Sequence, residues 1–469
     1  MHPANPERPG RNPETPGHTT SSNPTGGTGP AGPAGPASPV SPADPVRPAR
    51  QGKRPNDGAA GANLPVLRGH NTALVLDLLR TAGAVGISRL ELAERTGLTP
   101  QAVSKITARL RADGTAAEAG FRASTGGKPR TVLRLVPGAA HAVGLHLDRD
   151  EVTAVLVDLA GHVVAVRAAP LDLGARPETV LDVAVEQVVA VRSEADGPVS
   201  GGSAADVHGS QDVPVPDAPR ATDHGDPNHG ATNHGAASQG RTGGRAAGGG
   251  LLGVGVAMPG PLDHTTGTTR RVTGFPHWDG FPLRDALAER LGLPVTLDKD
   301  TNAAALGLAA RGGAGSDSFA YLHLGTGLGA GLVLNGALYR GARTGAGEFG
   351  HQVVQLGGPP CDCGYRGCLE AICLAAVARG DLATAAGVLG EGAANLVSLL
   401  DIDRVVLGGR TVAAHREQFV TGVARVLGAR PAGRGPGAVP VTAAGDGERP
   451  VAEGAAHLLL APVFGHRMV

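Results

Sequence analysis

The first regular spacing of apolar side chains falls in "NTALVLDLLR", residues 71–80, where Leu74 lines up with Leu78 and Val75 with Leu79. Residues four apart share a helical face, so this stretch is predicted to be a helix. "SRLELAERTGLTPQAVSKITARLRADG", residues 88–114, predicts two more. Ser88 and Glu91 have capping-box spacing, Gly97 stands where a helix must stop, and Thr99 caps a helix whose first position is Pro100. Val103, Ile106 and Leu110 recur at helical spacing and turn inward, which leaves Gln101, Ser104, Lys105 and Ala108 outward near the start of that helix. "GFRASTGGKPRTVLRLV" then alternates like a two-stranded hairpin with Gly126 and Gly127 at its tip and Lys128 and Arg130 beside them. From about Ala142 the period changes: "AVGLHLDRDEVTAVLVDLAGHVVAVRAAP" and "LLGVGVAMPGPLD" read as strands, and Ala-rich helical segments alternate with further strands, an α/β pattern.

Two stretches carry no such periodicity. Residues 1–62 consist largely of Pro, Gly, Ser, Thr, Asn and Ala, with too few large apolar side chains to offset the entropy of ordering them, so a disordered tail is expected. Residues from about 195 to 250 read as a disordered insertion. It contains "DHGDPNHGATNHG", a histidine tract of a kind that can bind metal but lacks fixed geometry here. Because strands flank it on both sides, it decorates one domain and does not divide two. The expected organisation is therefore a tail at 1–62, a small domain at 64–136 and a large one at 140–469.

Composition adds a charge asymmetry. The chain has 469 residues and no net charge, yet residues 64–136 hold eleven Lys and Arg against five Asp and Glu, while the large domain is acidic. A basic block joined to an acidic body fits a nucleic-acid-binding module attached to something that is not one. Capping, turn and hairpin follow one another as in a winged helix-turn-helix, whose second helix reads the major groove. Gln can pair there with adenine, and Lys with guanine edges or phosphate. The DNA-contacting candidates are Thr99, Gln101, Ser104, Lys105 and Arg109 on the helix, with Lys128 and Arg130 on the wing. No apolar run of membrane-spanning length and no signal-peptide core is read in the chain, so a cytoplasmic protein without membrane contact is expected. In that reducing compartment a tight cysteine cluster, "CDCGYRGC" at 361–368, is expected to hold metal and not to form disulfides.

"GVGVAMPGPLD" at 253–263, "PVTLDKDTNAAALGLAARG" at 294–312, the glycine-rich "YLHLGTGLGAGLVLNGALYRGARTGAGEFGH" at 321–351, the cysteine cluster and "LLDIDRVVLGG" at 399–409 occur in an order that resembles the ROK family of repressors, open reading frames and kinases. The resemblance runs from residue 64 to about 465 apart from the insertion. It implies an α/β, actin-like (sugar kinase, ribonuclease H-like) two-lobe domain behind the winged helix, as in the family's transcriptional branch. By the same resemblance, His351, Cys361, Cys363 and Cys368 form a structural Zn²⁺ site. One imidazole and three thiolates suit tetrahedral zinc and leave no position open for water. Cys373 falls outside the pattern and is expected to be buried filler. Asp300, Glu348, His351 and Glu370 match the family's sugar contacts, and Asp300 would be the catalytic base of a kinase. Lys299 stands where the family usually has Asn, so an ion pair within the pocket is expected, and the segment between Glu370 and Asp401 is shorter than in relatives.

The kinases open this domain with a glycine-containing phosphate loop. This chain has "GLHLDRDEV" there, with His146, Asp148, Arg149 and Asp150 at the altered positions. Carboxylates at 148 and 150 are expected to repel a triphosphate. The resulting expectation is a non-enzymatic, sugar-responsive DNA-binding regulator, most simply a repressor, working as a homodimer or tetramer on a double-stranded operator. Its effector would be a sugar or sugar phosphate. The alternative is an ATP-dependent sugar kinase with a fused DNA-binding domain.

Overall fold

A computed structural model of the chain describes residues 64–122, 130–194, 250–272, 274–311, 317–430, 439–445 and 449–466. The candidate tail, the wing tip with Lys128, and all but the last residue of the 195–250 insertion lie outside these residues.

The first helix, α1 (Leu64–Ala82), extends beyond the periodic stretch at both ends. After the short strand β1 (Ile87–Ser88) comes α2 (Arg89–Thr96), capped reciprocally: Glu91 N donates to Ser88 Oγ and Ser88 N to Glu91 Oε2. Gly97 ends it in the left-handed conformation at φ 70°. Thr99 Oγ1 accepts from Ala102 N and starts α3 (Pro100–Ala112) with Pro100 in its first turn. Strands β2 (Ala116–Arg122) and β3 (Arg130–Leu135) complete a three-stranded sheet in the order β1-β3-β2.

Two five-stranded sheets follow, built on one plan. In the first lobe β4 (Ala140–Leu147), β5 (Glu151–Asp158) and β6 (Val163–Pro170) form an antiparallel meander. Helix α4 (Pro177–Ser193) leads to β7 (Gly250–Met258), parallel to β4. A small ladder of β8 (Leu262–Asp263) and β9 (Thr268–Thr269) and helix α5 (Leu283–Leu291) precede β10 (Val295–Lys299), parallel to β7. Both flanks of the 195–250 stretch thus belong to one lobe. Helix α6 (Asp300–Arg311) crosses to the second lobe, where β11 (Phe319–Leu324), β12 (Leu328–Leu334) and β13 (Ala337–Tyr339) repeat the meander. Helices α7 (Leu369–Ala378) and α8 (Leu382–Leu400) lead to β14 (Arg404–Gly408). Then α9 (Arg410–Ala414), α10 (Arg416–Ala429), β15 (Val441–Ala443) and α11 (Pro450–Val463) close the chain. The sheet orders β10-β7-β4-β5-β6 and β13-β12-β11-β14-β15 are the same topology twice.

Each lobe has its own apolar core, and a third core lies between them, where Ala303–Leu306 of α6 meet Val451, Ala455 and Leu458 of α11. The packing is close enough to require glycine: a Cβ at Gly454 would lie 1.8 Å from the Ala303 carbonyl oxygen. A fourth core joins the winged helix to the first lobe, combining Val75, Leu79, Leu92, Val103 and Leu133 with Val155 and Val157 of β5 and with Ala452, Ala456, Leu460 and Phe464. Helix α8 corrects one expectation, being long and apolar enough to cross a membrane by length and composition alone. Its Ala- and Gly-rich face is instead buried in the second lobe, where Ala385, Leu389, Ala393 and Val397 pack beside Phe419 and Val423 of α10.

Candidate functional site

On α3, Val103 and Leu110 are buried and Ile106 is half-buried, which leaves Gln101, Ser104, Lys105, Ala108 and Arg109 exposed beside Thr99. Arg109 pairs with Asp113 at 3.6 Å, an exposed contact that leaves its guanidinium in solvent. Arg130 is exposed at the start of β3, and its register partner across the hairpin is Arg122, a second basic position that sequence reasoning did not single out.

The four sugar-contact candidates line one cavity of about 80 Å³ between the lobes. Asp300 reaches it as the first residue of α6, and its carboxylate accepts from Thr301 N at 2.6 Å. Burial raises its pKa. Glu370, in the first turn of α7, accepts from Leu328 N at 2.7 Å and so ties the glycine turn between β11 and β12 to α7. Glu348 faces Lys299, whose ammonium lies 3.0 Å from its Oε1 and also donates to Ala346 O. The lysine side chain is 3% exposed, so an ion pair replaces solvent in this part of the pocket. Beneath it Asp298 is buried against Arg340 at 2.7 Å and accepts from Asn302 Nδ2 at 2.8 Å. This pair had no sequence signal, because its members lie 42 residues apart.

His351 belongs both to this cavity and to a cluster with Cys361, Cys363 and Cys368, whose ligand atoms all lie within 4.8 Å of one another. Nδ1 of His351 is 3.8 Å from Cys361 Sγ, and Cys363 Sγ is 3.7 Å from Cys368 Sγ. Tetrahedral zinc with bonds of about 2.3 Å places its sulfurs about 3.8 Å apart, so the donor set fits such an ion. The loop is held by local backbone bonds, Cys361 N to Tyr365 O and Gly364 N to Cys361 O, each 2.9 Å. Cys373 is fully buried outside the cluster, and burial pushes its thiol up to about 12.

A larger cavity of about 410 Å³ adjoins the first, with Asp148 and His323 on the wall of both. His146 lines it with Nε2 buried and without a hydrogen-bond partner, and burial lowers its pKa to about 4, so the imidazole is neutral. Here the expectation for residues 148–150 needs correction. The two carboxylates do not stand as bare charges, because Arg410 of the second lobe grips both. Its Nη1 and Nη2 donate to the two oxygens of Asp150 at 2.7 and 2.6 Å, and Nη2 to Asp148 at 2.7 Å. The hydrogen bond from Arg410 is the main cause that lowers the Asp150 pKa. Burial acts upward on Asp148, but His146, Arg410 and the Arg149 amide together bring it below its ordinary value. Arg410 directly follows the Gly408-Gly409 pair that ends "LLDIDRVVLGG"; only the fold reveals what it faces.

Residues 244–379, which carry the glycine turns, Asp300 and the cysteine cluster, match the model of the ROK family. That stretch is similar to the ROK family. Over 128 residues the chain is 47% identical to the glucokinase of Thermotoga maritima, covering 27% of this chain and 40% of that protein. Over 285 residues the chain is 26% identical to the xylose repressor of Bacillus subtilis, 61% of each protein. Over 321 residues it is 26% identical to the DNA-binding transcriptional dual regulator NagC of Escherichia coli, 68% of this chain and 66% of that one. The chain thus spans between about two fifths and two thirds of these relatives' lengths. A crystal structure of a ROK family transcriptional regulator, a homologue of the E. coli MLC protein, superposes with a TM-score of 0.60 at 18% identity, covering 85% of this chain and 98% of that one. The likeness to that regulator is one of fold, two α/β lobes behind a small N-terminal helical domain.

Proposed function

We infer that this protein is a sugar-responsive DNA-binding transcriptional regulator, acting as a repressor in an assembly of two or four copies, with a structural zinc ion and no kinase activity. The observation that carries this reading is the shared core: the outward face of α3 with Gln101, Ser104 and Lys105 stands on a domain whose interior is continuous with β5 and α11 of the ROK lobes. A ligand that changes the fit of the lobes acts on elements that already support the winged helix. In a dimer the separation of two recognition helices must match half-sites about 34 Å apart, so small changes in support alter DNA affinity. Zinc would be held by His351, Cys361, Cys363 and Cys368. It would fix the loop that presents His351 to the sugar cavity and leave no coordination position for substrate.

Purified protein incubated with fragmented genomic DNA should retain a small set of sequences, and sugars or sugar phosphates that raise its melting temperature should change that retention. Retention without sequence preference and no stabilisation by any sugar would overturn the reading. The kinase alternative has the glucokinase similarity and Asp300 in its favour, whereas Asp148, Arg149 and Asp150 occupy the turn where the kinases have their phosphate loop. ATP-dependent sugar phosphorylation abolished by Asp300→Asn would establish it.

A further inference from the structure

We propose that Arg410, with Asp148 and Asp150, is an interlobe latch that sets how far the mouth of the cleft between the lobes opens. Asp148 and Asp150 sit in the turn between β4 and β5 of the first lobe, and Arg410 opens α9 of the second, 260 residues away. Deeper in the cleft Lys299–Glu348 and Asp298–Arg340 also join the lobes, at 3.0 and 2.7 Å, whereas the Arg410 contact joins the turn between β4 and β5 to the start of α9. The guanidinium meets Asp150 with both terminal nitrogens, the geometry in which arginine pairs most strongly and most directionally with a carboxylate. One of those nitrogens also reaches Asp148.

Both ends are anchored by backbone. Asp148 N donates to Glu151 O, Leu171 N to Asp150 O and Leu173 N to Arg149 O, which fasten the carboxylate turn to the end of β6 and the residues after it. On the other side Gly409 has φ 91°, and a Cβ there would lie 2.4 Å from Leu324 O, so the turn before Arg410 rests directly on β11. A rigid turn in each lobe and a three-way ionic contact between them fix the width of the cleft mouth. A single exposed pair is worth little. This one is a network, with the Asp148 side chain only 18% exposed, and without Arg410 two carboxylates two residues apart would repel each other. The latch also borders the ligand cavity, since Asp148 lines both cavities. A ligand that engages Asp148 therefore competes with Arg410 for it. The latch belongs to the lobes and holds whether the protein regulates genes or phosphorylates sugar.

The test is single-molecule energy transfer on the full chain. Dyes are attached through non-canonical amino acids at the exposed positions Val189 of α4 and Leu399 of α8, which spares the four cysteines. Unliganded wild type should give one narrow transfer peak at low salt that broadens and moves as potassium chloride is raised. Arg410→Gln should give the broadened, displaced peak at every salt concentration, with Arg410→Lys intermediate. An Arg410→Gln peak that stays narrow, in place and insensitive to salt overturns the latch. If Arg410→Gln does not fold by circular dichroism, Asp148→Asn/Asp150→Asn applies the same test from the other lobe, with the same two outcomes.

Discussion

At the scale of single residues, the cavity rests on a buried ion pair that lies outside its lining. Arg340 and Asp298 are 4% and 1% exposed, and Asp298 also receives Lys299 N and Asn302 Nδ2, so it fixes the strand end from which Lys299 and Asp300 project. Removing one partner strands the other charge away from water. Arg340→Met is expected to cost about 3–5 kcal/mol in urea unfolding, and a loss below about 1 kcal/mol would mean that water reaches Asp298. Lys299 presents a different case. Its ammonium already has Glu348 and Ala346 O, so in Lys299→Gln the carboxylate of Glu348 is released toward the cavity. If that carboxylate is a sugar contact, the variant should give a larger thermal shift with the cognate sugar than wild type does. A shift unchanged in size would remove Glu348 from the ligand contacts.

At the scale of elements, the caps were legible because their chemistry is local: Ser88 with Glu91, Gly97, and Thr99 with Pro100 each act within four residues. The cysteine cluster was legible for the same reason, since three of its members lie within eight positions and Gly364 and Gly367 supply the positive φ that the tight turns between them need. Candidate sugar contacts could be named through family motifs, whereas Arg410, Arg340 and the role of α11 could not, because each acts through a contact made only after the chain has folded across both lobes. Helix α11 carries the clearest consequence. Its Gly454 faces Ala303 and Gly307 of α6 without room for a methyl group, and a Cβ at Gly307 would meet Gly454 Cα at 2.9 Å. Gly454→Ala is therefore expected to destabilise the protein by about 1–3 kcal/mol despite the better helix propensity of alanine. A stabilised variant would show that α6 and α11 lie farther apart. On α3 a base-reading Gln101 predicts that Gln101→Ala loses about 1–3 kcal/mol of operator binding. An equal loss on random DNA would reassign it to a phosphate contact. For the zinc ion proposed at the cysteine loop, Cys363→Ser should lose metal and lower the melting temperature, and full metal content by mass spectrometry would contradict the ligand set.

At the scale of the whole molecule, acid should act on the brace that ties the winged helix to the lobes. His457 lies on α11, buried against the turn at Gly161, where a Cβ would meet its ring at 3.0 Å. Burial, reinforced by Arg311 and Arg80, lowers its pKa from 6.5 to about 4. An unfolded chain binds a proton on this histidine as pH falls through 6.5, while the folded chain does not until about 4, so folding loses stability as pH decreases across that window. A difference of this size amounts to about 3 kcal/mol by its acid end. Other groups contribute at the same time: His146 acts in the same direction, the raised carboxyl of Asp300 in the opposite one, and protonation of the cysteine cluster would release metal. These terms are common to wild type and His457→Gln, so the comparison isolates the one imidazole. The slope of unfolding free energy against pH between 6.5 and 4 should be shallower in His457→Gln by about one proton. Equal slopes would mean that His457 takes up its proton in the folded state, and with it that water enters the seam between α11 and the first lobe.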